Sequence, residues 1–444
     1  MHLLIVGNGI TGVTAALTAR RLDPAARITL VSAESAHHYS RTALMYIYMG
    51  HLRYQDTKPY GDWFWAENRL ELVQAEVTGL DTAARTVTLR SGPPLSYDRL
   101  LLATGSTTRF FGWPGQQLRG VQGLYGLPDL EKMTRDTQGI QRAVVVGGGL
   151  IGIELAEMLH ARGIHVTLLV RESRYWQSVL PPEEATLVER QIARHHLDLR
   201  RNSEMREVLG DEHGRVRAVV TTAGEEIPCQ WVGIATGVQP NLTLARAGGL
   251  ATDRGILVDE LLQTSVPGVY AAGDCAQHRP PAAGEPALEQ LWYTGRLQGE
   301  TVAHTLCGQP TTYRRGQWFN SAKFFNLEYY TYGRVPAELP AGTGTFCWQH
   351  PTTDHLLRIN FRLDDSLAVT GMNALGLRQR HAVWEQWLHA ATPVTEALAR
   401  LGEANFDPEF FRRHEPAVRA AFARQFPGLP LGVARTGRRA GRPA

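Results

Sequence analysis

Cysteine is scarce in this chain. Among 444 residues there are four, Cys229, Cys275, Cys307 and Cys347, scattered with at least 32 positions between neighbours. No CxxC or CxxxxC pair exists, which excludes zinc-type ligand spacing, and no metal site is expected. A disulfide framework does not arise from four distant thiols, so a reducing compartment, the cytoplasm, is the expected setting. Lysine is scarcer still, with only Lys58, Lys132 and Lys323, so arginine carries most of the positive charge. Removing the tail arginines Arg435, Arg438, Arg439 and Arg442 takes the formal net charge from +3 to −1. The body therefore has no basic excess, and nucleic-acid binding has no support. The longest largely apolar stretch, 143–159, contains Glu154 and Glu157, so no transmembrane helix is expected. The start lacks a basic n-region and a small-residue cleavage site, so no signal peptide is expected. No GxSxG, HExxH or Walker sequence is present. Hydrophobic residues at 43% and charged residues at 20% exclude a disordered chain, a collagen and a coiled coil.

What the sequence does have is glycine in two matching places. His2–Val6 is a short apolar run suited to a buried parallel strand. Gly7, Gly9 and Gly12 follow at GxGxxG spacing, then an alanine- and leucine-rich helix over 10–22, then a second strand at Arg27–Val31. The same grammar returns at 143–174. Gly147, Gly149 and Gly152 repeat the spacing, Gly163 sits where a helix C′ glycine belongs, and His165–Val170 is the next strand. In such a unit the first glycine permits the tight turn and the second lets a pyrophosphate approach the backbone. The third lets helix and strand pack closely. The helix N-terminus offers unpaired N–H groups and a positive dipole end to phosphates. Two units imply two dinucleotides. Leu100–Gly105 (LLLATG) and Val232–Gly237 (VGIATG) are matching strand–turn pieces, one after each unit, and a further strand ends at Gly273-Asp274. Residues 285–307 read as helical. From about 310, short aromatic runs separated by glycine, proline and aspartate read as an antiparallel sheet. Residues 379–425 read as helical.

This ordered set resembles the two-dinucleotide-binding-domain flavoproteins of the pyridine nucleotide–disulfide oxidoreductase superfamily, and most nearly their ferredoxin- and rubredoxin-reductase branch. The resemblance rests on GNGITG, YSR, EVTGLD, LLLATGS, GGGLIGIE, GIATG and YAAGDCA. It implies an α/β fold with two Rossmann-like doubly wound domains, one inserted in the other, and a C-terminal α+β domain. Residues 1–110 with 238–310 would bind FAD and 111–237 would bind NAD(P)H. Residues 311–426 would form an interface domain, and 427–444 a disordered arginine-rich tail. By the same resemblance Gly7, Gly9 and Gly12 hold the FAD pyrophosphate. Glu34, two residues beyond the usual strand-end position at Ser32, binds the adenosine ribose. Arg41 pairs with phosphate or adenosine, the Val77 backbone meets the adenine, and Thr104 and Gly105 lie near the pyrophosphate. Asp274 bonds the ribityl chain. Gly147, Gly149, Leu150, Ile151, Gly152 and Gly237 hold the nicotinamide dinucleotide, and Glu154 lies beside the nicotinamide and the flavin. Arg171 and Arg174 tilt the nucleotide toward NADPH, with Glu172 left as a group for the unmodified ribose of NADH.

Two departures narrow the chemistry. The helix around 40–50 (RTALMYIYMGH) has no cysteine, which excludes dithiol, single-cysteine peroxidase and CoA-disulfide chemistry. Tyr46 stands where the branch carries a lysine paired with the glutamate. His350-Pro351 is similar to the His-Pro of the disulfide reductases, but precedes an expected strand and so is a decoy. The expected activity is an FAD-dependent NAD(P)H oxidoreductase passing hydride to the flavin and electrons to an iron–sulfur carrier, a ferredoxin or rubredoxin. Two alternatives stay open. One is a peripheral-membrane NAD(P)H:quinone reductase, with Trp384, Trp387 and Leu388 as the bilayer face. The other is an NAD(P)H-responsive interaction or sensor protein. A homo-oligomer is open too, with the aromatic runs from Trp318 to Tyr330 as core or interface.

Overall fold

The structure is a computed structural model, and it describes residues 1–282, 284–406 and 412–431. Its contacts divide the chain into two compact units, 1–171 with 197–315 and 172–196 with 316–444.

The first unit holds two five-stranded sheets, each entirely parallel. In one, the order is Val269–Ala271, Arg99–Leu102, His2–Val6, Arg27–Ser32, Leu70–Gln74. In the other it is Asp198–Arg200, His165–Leu169, Arg142–Val146, Trp231–Ile234, Val121–Gln122. The central strands, HLLIV and RAVVV, are apolar because helices and neighbouring chain cover both faces, so alternation would gain nothing. Leu3, Leu4 and Ile5 are fully buried, as are Val144 and Val145. Each central strand ends at the glycine turn, and each turn leads into a helix, Ile10–Leu22 or Leu150–Ala161. The second helix stops at the Arg162 C-cap, and Gly163 follows at φ +73°, as its sequence position predicts. A three-stranded antiparallel meander accompanies each half, beginning at Val77–Asp81 and at Met205–Gly210. The two halves join through a two-stranded antiparallel ribbon, in which Thr108 pairs with Val238 and Ser106 with Pro240.

The second unit is built on a five-stranded antiparallel sheet, ordered Phe319–Phe324, Leu327–Gly333, Val369–Leu375, Leu356–Arg362, Thr343–Gln349. Among the described residues, the stretch read as helical over 379–425 holds three helices, His381–His389, Val394–Ala399 and Glu415–Gln425, with a short 3-10 turn at Leu401–Ala404. Pro393 and Pro416 each sit at a helix start, where the missing N–H costs nothing. Trp384, Trp387, Phe346, Phe361 and Phe422 form this unit's core. Leu429 and Leu431, inside the expected tail, pack against the same core, and 432–444 lie outside the described residues.

The segment 172–196, placed by sequence within the nucleotide half, groups with this unit through helix Pro182–Arg194. A buried ion pair ties it there. Arg358 is 6% exposed and donates from Nε to Glu184 Oε1 at 2.7 Å and from a terminal nitrogen to Oε2 at 3.0 Å. It also reaches Glu183 at 2.6 Å and Thr345 at 3.1 Å. Asn373 donates to Glu184 at 3.1 Å, so a carboxylate with no exposure is fully partnered. The helix expected over 285–307 begins only at Trp292, after Pro286 and an extended Leu291.

Candidate functional site

The two glycine turns are geometric copies. Gly7 has φ +114° and Gly147 φ +118°, conformations that exclude a side chain. The Gly7 N–H donates to Val31 O at 2.8 Å, and the Gly147 N–H to Leu169 O at 2.9 Å. A Cβ on Gly7 would overlap the Ala103 carbonyl, and one on Gly147 the Ala235 carbonyl. A Cβ on Gly12 or Gly152 would overlap the carbonyl of the first glycine of its own motif, well under 3.0 Å away. The middle glycines differ. Gly9 and Gly149 are the N-caps of their helices without a side-chain cap, and a Cβ on either meets nothing within 4 Å. Each turn is thus closed by protein on two sides and open at the helix N-terminus, which fits a dinucleotide pyrophosphate. The LLLATG and VGIATG pieces supply the closing carbonyls. Their ends, Gly105 at φ +66° and Gly237 at φ +107°, send the chain into the ribbon between the halves.

Beside the first turn, Glu34, Arg41 and Asp274 are brought into one connected network. Arg41 donates to Glu34 Oε2 at 2.7 Å and Oε1 at 3.1 Å. The Leu127 N–H donates to Oε1 at 2.7 Å, and the Tyr39 hydroxyl bonds the same oxygen. Burial alone would raise the Glu34 carboxyl, but the Arg41 guanidinium and these donors hold it below the ordinary carboxylate range. A Cβ on Gly126 would lie 2.5 Å from Glu34 Oε1 and 2.9 Å from an Arg41 nitrogen, so a side chain there would press on this pair. Arg41 also donates to the Tyr125 carbonyl at 2.6 Å and lies 4.6 Å from that ring's centroid. The Tyr125 hydroxyl accepts from the Ser106 N–H at 2.8 Å and donates to Asp274 Oδ2 at 3.2 Å. Burial pushes the Asp274 carboxyl up, against the pull of the Tyr125 and Ser106 bonds. Sequence reasoning missed Tyr125, because it stands in a loop with no motif of its own. Tyr39 was present in YSR but unassigned.

The remaining residues are placed more singly. Val77 opens its meander two residues after Ala75, whose N–H donates to Ser32 O at 3.0 Å at the end of the second strand. Thr104 donates from its hydroxyl to Asn241 O at 3.0 Å. Glu154 lies on the second-turn helix, and burial together with Glu157 pushes its carboxyl up to about 7. Tyr46 stacks on His51 with ring centroids 6.2 Å apart. Val170 is buried beyond the strand His165–Leu169 and packs where a Cβ on Gly148 would go, and the next residue, Arg171, is exposed. Leu150 and Ile151 open the second-turn helix, half-buried.

Several other expectations are settled by burial. All four cysteines are free, and Cys275 is fully buried as packing. His350-Pro351 lies in the hairpin loop between Thr343–Gln349 and Leu356–Arg362. In the aromatic run Trp63-Phe64-Trp65, Trp65 is buried while Trp63 is 64% exposed, so the run is only partly core. Trp384, Trp387 and Leu388, the face needed for a bilayer, are core residues at 0%, 1% and 8% exposure. This overturns the argument for a quinone reductase lying on a membrane. Among the described residues, no helix is long and apolar enough to cross one.

Two parallel sheets, each closing a glycine turn on an open helix N-terminus, define a protein that holds two dinucleotides. The chain belongs to the pyridine nucleotide-disulphide oxidoreductase family, whose model matches residues 1–291. It is 33% identical over 309 residues to the biphenyl dioxygenase system ferredoxin–NAD(+) reductase component of Paraburkholderia xenovorans, covering 69% of this chain and 75% of that one. The crystal structure of the ferredoxin reductase for the CYP199A2 system of Rhodopseudomonas palustris is similar at TM-score 0.76 and 26% identity, over 84% of this chain and 91% of the other. An NAD-dependent persulfide reductase from A. fulgidus shares the fold over 96% of this chain and 84% of its own, at TM-score 0.82 and 24% identity.

Proposed function

We propose that the chain is an FAD-dependent NAD(P)H oxidoreductase that passes electrons to a small iron–sulfur carrier of the ferredoxin or rubredoxin kind. The observation that carries this is the doubled glycine turn with Asp274 beside the first copy. The ferredoxin named for the Paraburkholderia relative and the Rhodopseudomonas structure supports the carrier. In this reading residues 1–110 with 238–310 hold FAD and residues 111–237 hold the nucleotide. Gly9 and its neighbours Gly7 and Gly12 receive the FAD pyrophosphate, with Thr104 and Gly105 alongside. Val77 meets the adenine, Glu34 and Arg41 the adenosine end, and Asp274 the ribityl chain. Gly147, Gly149, Leu150, Ile151, Gly152 and Gly237 receive the nicotinamide dinucleotide, with Arg171 at its adenosine end. FAD, when bound, takes two electrons from a hydride and releases them singly. One NAD(P)H and two oxidised carriers become NAD(P)+, one proton and two reduced carriers. The residues supply placement and exclusion of water. We take the cytoplasm as the setting, in keeping with four free cysteines.

The Paraburkholderia relative's name carries NAD(+), and on that support we take NADH as the preferred nucleotide, against the tilt of Arg171 and Arg174. Anaerobic titration of the flavin absorbance tests this. NADH should bleach it at one equivalent, and faster than NADPH. A protein that carries FAD but is reduced by neither nucleotide would sink the proposal.

Glu154 gives this site a pH dependence. Its carboxyl is neutral below about 7 and charged above. Beside the nicotinamide, the charged form favours the oxidised, cationic ring over the reduced, neutral one. NAD+ should therefore inhibit more strongly as pH rises from about 6 to about 8, by roughly threefold to tenfold. Glu154→Gln should flatten that profile, and inhibition constants measured across the interval decide it.

A further inference from the structure

Behind Asp274 lies a buried polar cluster that none of the assignments above uses. Gln298, on helix Trp292–Leu306, has no exposed surface. Its Oε1 accepts the Gly273 N–H at 2.7 Å. Its Nε2 donates to Glu289 Oε2 at 3.3 Å and lies 3.4 Å from His278 Nε2. Glu289 is 4% exposed and accepts a second bond, from the Tyr313 hydroxyl at 2.6 Å, with an Arg315 nitrogen 3.8 Å from its other oxygen. Tyr313 in turn stacks flat on His278, ring centroids 5.1 Å apart at 9°. These neighbours fix which way the Gln298 amide faces. A carboxylate that collects donors takes the amide NH2, and burial keeps the His278 ring neutral so that its Nε2 can accept. The amide oxygen is left to point at Gly273. Gly273 has φ +80°, and a Cβ added to it would lie 2.5 Å from the Thr11 hydroxyl oxygen. The same Thr11 abuts Gly295 and Gly299 of the Gln298 helix. The turn is thus held by packing on one side, by the Ala276 N–H donating to Gly273 O at 3.0 Å, and by one side-chain hydrogen bond to the Gly273 N–H.

We propose that Gln298 is a positioning residue for the cofactor turn. Oriented by Glu289, its amide fixes the Gly273 peptide and so the direction in which Asp274 is presented to FAD. This rests on the reading that Asp274 meets FAD. Gln298→Met keeps the side-chain length and removes both the acceptor and the donors. In the apoprotein, amide exchange across 269–278 should speed up about tenfold, since one buried bond is lost. Added FAD should bind about tenfold more weakly, with an altered visible circular dichroism spectrum. Gln298→Glu should behave like the methionine variant at alkaline pH, where two carboxylates face each other. It should recover as pH falls, because the introduced carboxyl, once protonated, can accept from Gly273 and donate to Glu289. A purely structural role would lower stability without that pH-dependent rescue, and the glutamate variant carries the question if the methionine variant does not fold. Wild-type FAD affinity and spectrum in Gln298→Met, while Asp274→Ala loses FAD, overturn the inference. Wild-type FAD affinity in Asp274→Ala overturns the reading of Asp274 itself.

Discussion

Gly152→Ala should leave a yellow protein that NAD(P)H no longer reduces, whereas Gly12→Ala should leave a protein without flavin. The two substitutions are chemically identical and occupy the same place in two copies of one turn. In each, the added methyl would overlap the carbonyl oxygen of the motif's first glycine, Gly147 or Gly7. That carbonyl cannot retreat, because the first glycine is pressed onto Ala235 or Ala103 and its N–H is bonded to the neighbouring strand. The helix must move instead, and with it the N–H groups at its N-terminus. Overpacking of this kind costs about 1–3 kcal/mol even against side chains, and backbone yields less. A loss of about a hundredfold in dinucleotide affinity, about 2.7 kcal/mol, is expected for the half that is hit. The ratio of flavin to protein absorbance reads the Gly12 variant, and anaerobic titration reads the Gly152 variant. Full flavin content in Gly12→Ala, or normal reduction of Gly152→Ala, would show that the turns are not the binding sites.

Arg358→Met should destabilise the C-terminal sheet unit by about 3–5 kcal/mol, the range for removing one partner of a buried ion pair. Glu184 has no exposed surface, and without Arg358 it keeps only Asn373 among its named donors. Adding Glu184→Gln to Arg358→Met should return part of the loss, since an amide costs less to bury than an uncompensated charge. By contrast, Arg190→Ala should cost about 1 kcal/mol or less, because its bond to Asp354 is made at a half-exposed position. Denaturant unfolding followed by tryptophan fluorescence suits the measurement, since Trp384 and Trp387 lie in the same core. Equal effects of Arg358→Met and Arg190→Ala would refute the argument.

The contrast between legible and illegible features follows the range of the interactions. Gly7, Gly9 and Gly12 could be read because six adjacent residues carry the whole requirement of strand, turn and helix. Even their different tasks were legible, and the structure keeps Gly9 open while Gly7 and Gly12 are closed. What closes Gly7 and its copy Gly147 was not legible as a contact, because Ala103 and Ala235 stand just past strands about ninety residues downstream. The 172–196 segment reads locally as part of a second nucleotide unit, yet its helix is claimed by Arg358, far along the chain. Trp384 and Trp387 show the same limit in another form. An aromatic helix face looks alike whether it meets lipid or a sheet, and only the partner decides. Tyr125 was invisible because a lone tyrosine in a loop has no spacing to betray it.

The ribbon that joins Thr108 to Val238 has a consequence for how such proteins can be recombined. Because the chain leaves the first half and returns to it on paired strands, the whole intervening stretch enters through a single doorway, and a tight turn could span the gap it leaves. By that measure the insert is a removable cassette but for its helix Pro182–Arg194, which Arg358 ties to the C-terminal unit. Tyr125 spoils the clean exchange. It belongs to the insert, but its hydroxyl ends on Asp274 of the host half. A chimera that borrows its insert from a relative therefore also imports whatever that relative keeps at this position, and with it a foreign hand on the Asp274 carboxylate.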